Sequence, residues 1–149
     1  MSPLFLDGLF AYGHFLGIGL LIAFLAMETA LIREEMTPER ILRLARIDAG
    51  VGAGAMLTLA AGACRVFYGL KGADFYLENS AFLIKMALFV LAALASFPPT
   101  IQFLKWRKAL AADPAFRPEP RKVRVVCGHL MAEWACIVVI ALAAVLITR

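Results

Sequence analysis

The chain has 149 residues, 62% hydrophobic and 17% charged, with a mean hydropathy of +0.83. A soluble domain of this size is nearer half apolar, so the surplus points to a membrane rather than to a water-soluble fold. The net charge of +4 is not a nucleic-acid signature, because the basic residues are segregated by loop.

Four long apolar stretches follow one another: Leu4 to Ile32, Ile47 to Phe67, Ala81 to Leu104 and Val123 to Ile147. Each exceeds the roughly 20 residues that cross ~30 Å of hydrocarbon as an α-helix. With their flanks they predict helices over about 4–32, 38–69, 80–106 and 122–148. The predicted fold is all-α, a single integral membrane four-helix bundle spanning 1–149. The first stretch lacks a basic leader, carries Asp7 and is too long for the apolar part of a signal peptide. It reads as a retained helix, with Met1 to Asp7 as a short tail leading into it.

Arg33, Arg40, Arg43 and Arg46 lie between the first two stretches. Lys105, Arg107, Lys108, Arg117, Arg121, Lys122 and Arg124 lie between the last two. By the positive-inside rule both basic loops face the cytoplasm and both termini lie on the external, periplasmic side. The loop between the second and third stretches balances Lys71 against Asp74 and Glu78.

Thr37-Pro38-Glu39 is a helix start: a Thr cap, Pro at the first helical position, and an acid near the positive end of the dipole. Deeper in the second helix, Gly50, Gly52, Gly54, Ala55 and Ala61 form a face of small residues. Such a face admits a closely packed neighbouring helix, or a flat cofactor. Gly69 to Asn79 reads as an external loop, with Tyr68, Phe75 and Tyr76 as interfacial aromatics. Pro98-Pro99 is expected to kink or break the third helix, and Lys105-Trp106-Arg107-Lys108 closes it at the interface. The Pro-rich run Asp113 to Pro120 reads as an extended connector. Cys64, Cys127 and Cys136 have no metal-ligand spacing and read as small buried thiols.

The informative residues are those that lipid tolerates poorly. A charge at the bilayer centre costs on the order of 3 kcal/mol on insertion scales, so it must face the protein interior, find a partner or hold a ligand. Helical rise places His14, Arg65 and Lys85 toward the external side, where one pocket can gather them with Tyr12 and Tyr68. Glu28, Arg46 and Asp48 gather at the cytoplasmic side as a structural network. His129 and Glu133 share a face of the fourth helix at i, i+4. Glu133 needs either a neutral, buried carboxyl or a partner such as His129.

His14 admits two readings: an imidazole hydrogen-bonded across helices, or an axial ligand to a haem iron, as in membrane four-helix cytochromes. His129 is a candidate second metal ligand, with water, Met27, Met56, Met86 or Met131 as other partners. Arg65 and Lys85 are either snorkelling anchors or cations that hold porphyrin propionates.

Several runs carry a likeness to known proteins: Gly13-His14-Phe15-Leu16, Met27-Glu28, Leu44-Ala45-Arg46-Ile47-Asp48, Ala63 to Gly72, Phe75-Tyr76, Phe82 to Lys85, and Ser96-Phe97-Pro98-Pro99-Thr100 with Lys105-Trp106-Arg107. In these the chain resembles an uncharacterised family of small four-helix bacterial inner-membrane proteins. Through His14, Leu42-Arg43-Leu44, Leu57 to Gly62 and Lys85 it is more distantly similar to the HemJ-type protoporphyrinogen oxidases and the CopD-like membrane proteins. The first resemblance implies a multi-pass protein of the bacterial inner membrane. The second implies a porphyrin-related role for His14 and Lys85.

The leading expectation is therefore a membrane protein that binds haem b or a related porphyrin in a redox role, acting on porphyrinogen or quinone. His14, Arg65, Lys85 and Tyr68 would bind the cofactor, and Lys85 and Glu133 would serve catalysis, Glu133 as a proton relay. The alternatives are a small transporter or channel that dimerises around a polar path, and a structural membrane subunit. The expected partners are lipid and further copies of the chain, not nucleic acid.

Overall fold

A computed structural model describes residues 2–33 and 35–147, with 146 and 147 as backbone only. Its elements are α1 (Pro3–Leu31), α2 (Pro38–Tyr68), the short α3 (Gly72–Leu77), α4 (Ser80–Ala112) and α5 (Pro120–Ile147). All but α3 contain a span long and apolar enough to cross a membrane. Position 148, predicted as the end of the last helix, lies outside the described residues.

Local chemistry sets the boundaries. The Ser2 hydroxyl accepts from the Phe5 amide, so α1 begins at Pro3 and takes in Asp7, where a tail was expected. Thr37 caps α2 through the Arg40 amide, and Asn79 caps α4 through the amides of Ala81 and Phe82. The expected external loop carries a turn of helix, α3, entered through Gly72 at φ 74°. Of the kink or break expected at Pro98-Pro99, the break does not occur: α4 continues through both prolines and on to Ala112. Two missing N–H groups leave only the Leu94 and Ala95 carbonyls without an intrahelical donor, and the rest of a long helix tolerates that.

α1 and α2 form one antiparallel hairpin, α4 and α5 the other. The turns of both hairpins lie at one end, called here the basic end; α3 and the described start of the chain lie at the other. The first hairpin closes along a seam of small residues. His14 sits on Gly62, Gly17 on Thr58, Leu21 on Gly54 and Phe24 on Gly50. On α2 these positions recur every four residues, the small-xxx-small pattern of closely packed membrane helices. A Cβ at Gly17 would stand 2.6 Å from the Thr58 amide nitrogen, and one at Gly54 2.6 Å from that of Leu21. Gly52 faces open space, so the small-residue face runs through Gly50, Gly54, Thr58 and Gly62 and is filled by α1, not by a flat cofactor.

The two hairpins join only over their basic half. There Leu25 and Ile32, Ile41 and Leu44, Phe103 and Trp106, and Val123 and Leu130 form one core. Toward the opposite end they part. No residue of α4 before Pro99 is buried, and no described residue of α5 beyond Glu133 is buried. Among the described residues no Cα of α1 comes within 8 Å of one in α4.

The seam yields a paired prediction. Gly54→Leu drives a side chain into the α1 backbone and is expected to cost about 3 kcal/mol or more. Gly52→Leu should change stability by less than about 0.5 kcal/mol, as outward substitutions usually do. Thermal unfolding in detergent distinguishes them, and equal melting temperatures would contradict the seam.

Candidate functional site

The external pocket expected from His14, Arg65, Lys85 and Tyr68 does not assemble. The seam brings α2 so close to His14 that its Nδ1 donates to the Thr58 carbonyl at 2.8 Å. The Thr58 hydroxyl in turn donates to the Gly54 carbonyl at 2.8 Å. Arg65 is taken by Asp7, its Nε lying 3.9 Å from Asp7 Oδ1. Tyr68 and Tyr12 point outward, 75% and 66% exposed. Lys85 is half-buried on the stretch of α4 that stands away from α1. His129 lies far from His14, in a groove at the basic end with Glu119, Arg121 and Lys122. The two histidines therefore do not face a common centre.

The residues that do converge are acids. Glu28 of α1, Asp48 of α2 and Glu133 of α5 are buried, with relative exposures of 2%, 8% and 5%. Two hydrogen bonds tie their helices together here: Thr100 of α4 to Asp48, and Trp134, next to Glu133, to Thr29, next to Glu28. α4 contributes hydroxyls: Thr100 donates to Asp48 Oδ1 at 2.8 Å, and Ser96 stands one turn away, near Glu133. Beside them the Trp134 indole N–H donates to the Thr29 hydroxyl at 3.0 Å, which donates to the Leu25 carbonyl at 2.8 Å. All four long helices thus meet in one polar node.

The node is incompletely satisfied. Glu28 Oε1 is buried and has no hydrogen-bond partner. Three like charges in a water-poor site repel one another, and no basic side chain pairs with any of them among the described residues. The three acids thus stand in the node without a counter-charge among the described residues. Arg46, expected to join Glu28 and Asp48, is exposed and leaves them without a cation.

Residues 6–149 match the family described as Predicted membrane protein (DUF2214). The chain belongs to this family. It is accordingly a membrane protein with four apolar helices. No curated protein and no solved structure matches it.

Among the described residues, no three His, Cys, Asp or Glu side chains are grouped so that they could hold a metal ion, the three acids included. His14 and His129, expected as metal ligands, belong to no such group. The sequence reading missed Ser96, Thr100 and Thr29, whose hydroxyls look like ordinary helix residues until the packing of α4 and α5 is known. A signal was present in Ser96 and Thr100, one helical turn apart around the Pro98-Pro99 pair.

Removing the Thr100 hydroxyl tests the node's integrity. Thr100→Val should destabilise the protein by about 1–3 kcal/mol, because Asp48 loses a buried donor. Thr100→Ser should retain most of that stability. Chemical denaturation of both variants in detergent measures the difference, and equal losses would assign it to packing instead.

Proposed function

We propose that the protein moves protons within the membrane, with Glu28, Asp48 and Glu133 as the groups that carry them. The observation behind this reading is a buried carboxylate oxygen, Glu28 Oε1, that has no partner and lies beside two further buried acids. Intramembrane acids of this kind mark ion and proton pathways. A carboxyl can take up and release a proton in place, which suits these acids to that cation. Ser96 and Thr100 each provide a hydroxyl that can accept one proton while donating another, and Thr100 already bonds Asp48.

With the basic loops cytoplasmic and the termini external, the node lies on the inner side of the bundle. The core around Phe103, Trp106, Ile41 and Leu44 separates it from the cytoplasmic loops. Toward the other face the hairpins part, and that space is the route of access. Four helices are few for a carrier, so a second copy of the chain completes the wall of the path. A bacterial inner membrane, across which proton gradients are held, suits this role.

Proton flux into proteoliposomes, followed with an entrapped pH-sensitive dye, tests the proposal. The wild-type protein should accelerate equilibration, and Glu28→Gln and Glu133→Gln should each reduce the rate at least about tenfold, the scale of losing a proton-transfer group. Glu39→Gln, at the exposed start of α2, should leave it unchanged. Wild-type vesicles no more permeable than empty ones would refute the proposal.

A second reading rests on His14. Its Nδ1–H is held by a backbone carbonyl, the arrangement that orients a metal-bound imidazole, and its Nε2 remains for a ligand. A haem b or related porphyrin in a redox role would be held there by His14 alone, since His129 lies at the basic end. Porphyrin carboxylates would reach Lys85 or Arg65 only by displacing Asp7 from the latter. The absorbance spectrum of the purified protein, before and after addition of haemin, decides this reading: it requires a Soret band that is lost in His14→Ala.

A further inference from the structure

We infer that the groove between α4 and α5 at the basic end is a binding site for the phosphate of an anionic phospholipid headgroup. The inference is independent of the carboxyl node and of any proton movement. The groove has a volume of about 270 Å³, with Arg121, Lys122, Val125 and His129 on α5 and Pro98 and Gln102 on α4. It continues into a second cavity of about 350 Å³ that shares Gln102 and Lys122 and adds Lys105 and Arg117.

Its chemistry is graded with depth. Arg121, Val125 and His129 are spaced i, i+4, i+8 and line one face of α5. From Arg121 to His129 the groove descends about 12 Å along the helix. On α5 cations stand at the mouth, Val125 follows and the His129 imidazole lies below; on α4 the Gln102 amide comes first and Pro98 a turn deeper. A glycerophospholipid has the same order: phosphate, then ester carbonyls among the beginnings of the acyl chains. The wall is open to lipid, Val125 being 56% exposed. A soluble anion would have no use for that apolar side.

The charge balance agrees. Around the two cavities Lys105, Arg117, Arg121 and Lys122 oppose one acid, Glu119, which lies 3.5 Å from the Lys122 ammonium. Arg121 and His129 take no hydrogen bond or ion pair from the described residues. A phosphate diester would engage Arg121 in paired hydrogen bonds at the membrane surface.

The full chain in detergent micelles, titrated with phosphatidylglycerol and with phosphatidylcholine and examined by native mass spectrometry, tests the site. Phosphatidylglycerol should be retained and phosphatidylcholine lost. Arg121→Ala and Lys122→Ala should each weaken retention about fivefold, the effect of about 1 kcal/mol per surface cation. The double variant Arg43→Ala/Arg46→Ala, which removes twice the charge of either from α2, should leave it unchanged. Equal loss in that double variant, or equal retention of the two lipids, would overturn the site. Glycerol 3-phosphate separates the two sources of phosphate. If it displaces the lipid at comparable concentration, the groove serves a soluble phosphate ester and the lipid assignment falls.

Discussion

A carboxyl group surrounded by lipid and aliphatic side chains must be satisfied by the protein itself, and Glu28 sets this constraint on the whole bundle. Burial to 2% exposure removes it from water, yet its Oε1 finds no hydrogen bond among the described residues. α2 adds the buried Asp48 and α5 the buried Glu133, and the Thr100 hydroxyl of α4 holds Asp48. The hairpins join where these groups meet and part beyond them. Polar demand and aliphatic packing thus coincide in the basic half of the molecule, whereas the other half is left to the α1–α2 seam.

That seam explains why the external half holds no gathered site. Small residues every four positions on α2 let the backbones approach until Gly17 and Gly54 have no room for a Cβ. At that separation the Thr58 carbonyl is the nearest acceptor for His14, and Asp7, inside α1 rather than in a tail, reaches Arg65. His14 is hydrogen-bonded within the first hairpin, and Arg65 is ion-paired there, although its buried Nε makes no hydrogen bond among the described residues. Lys85 lies on a helix that does not approach α1, and so away from His14.

Hydropathy made the four membrane helices legible, because length and apolar composition suffice to mark a span. The cap at Thr37 was likewise local chemistry that a sequence displays. The site was legible only in its ingredients. Glu28, Asp48 and Glu133 stood out as charges in apolar helices, but rise per residue gives depth and not the direction a side chain faces. Depth alone grouped His14 with Arg65 and Lys85, and set Glu133 apart from Glu28. Which helices touch is decided by Gly54, Gly17 and the Phe103–Trp106 core, a property of complementary surfaces that a single sequence does not spell out. Pro98-Pro99 likewise reads as a kink or a break, yet the helix needs only two carbonyls left without donors to continue through.

The result is a membrane bundle with two chemically distinct regions on its basic half: an acidic interior where four helices meet, and a basic groove on the outside between α4 and α5. The proposed function rests on the interior, and its defining feature is a buried carboxyl out of contact with water. Labelling with a hydrophobic carbodiimide, mapped by peptide mass spectrometry, tests this most directly. The predicted result is adduct formation at Glu28 or Glu133 that is lost in Glu28→Gln or Glu133→Gln. Adducts confined to exposed acids such as Glu39 and Glu119 would contradict it.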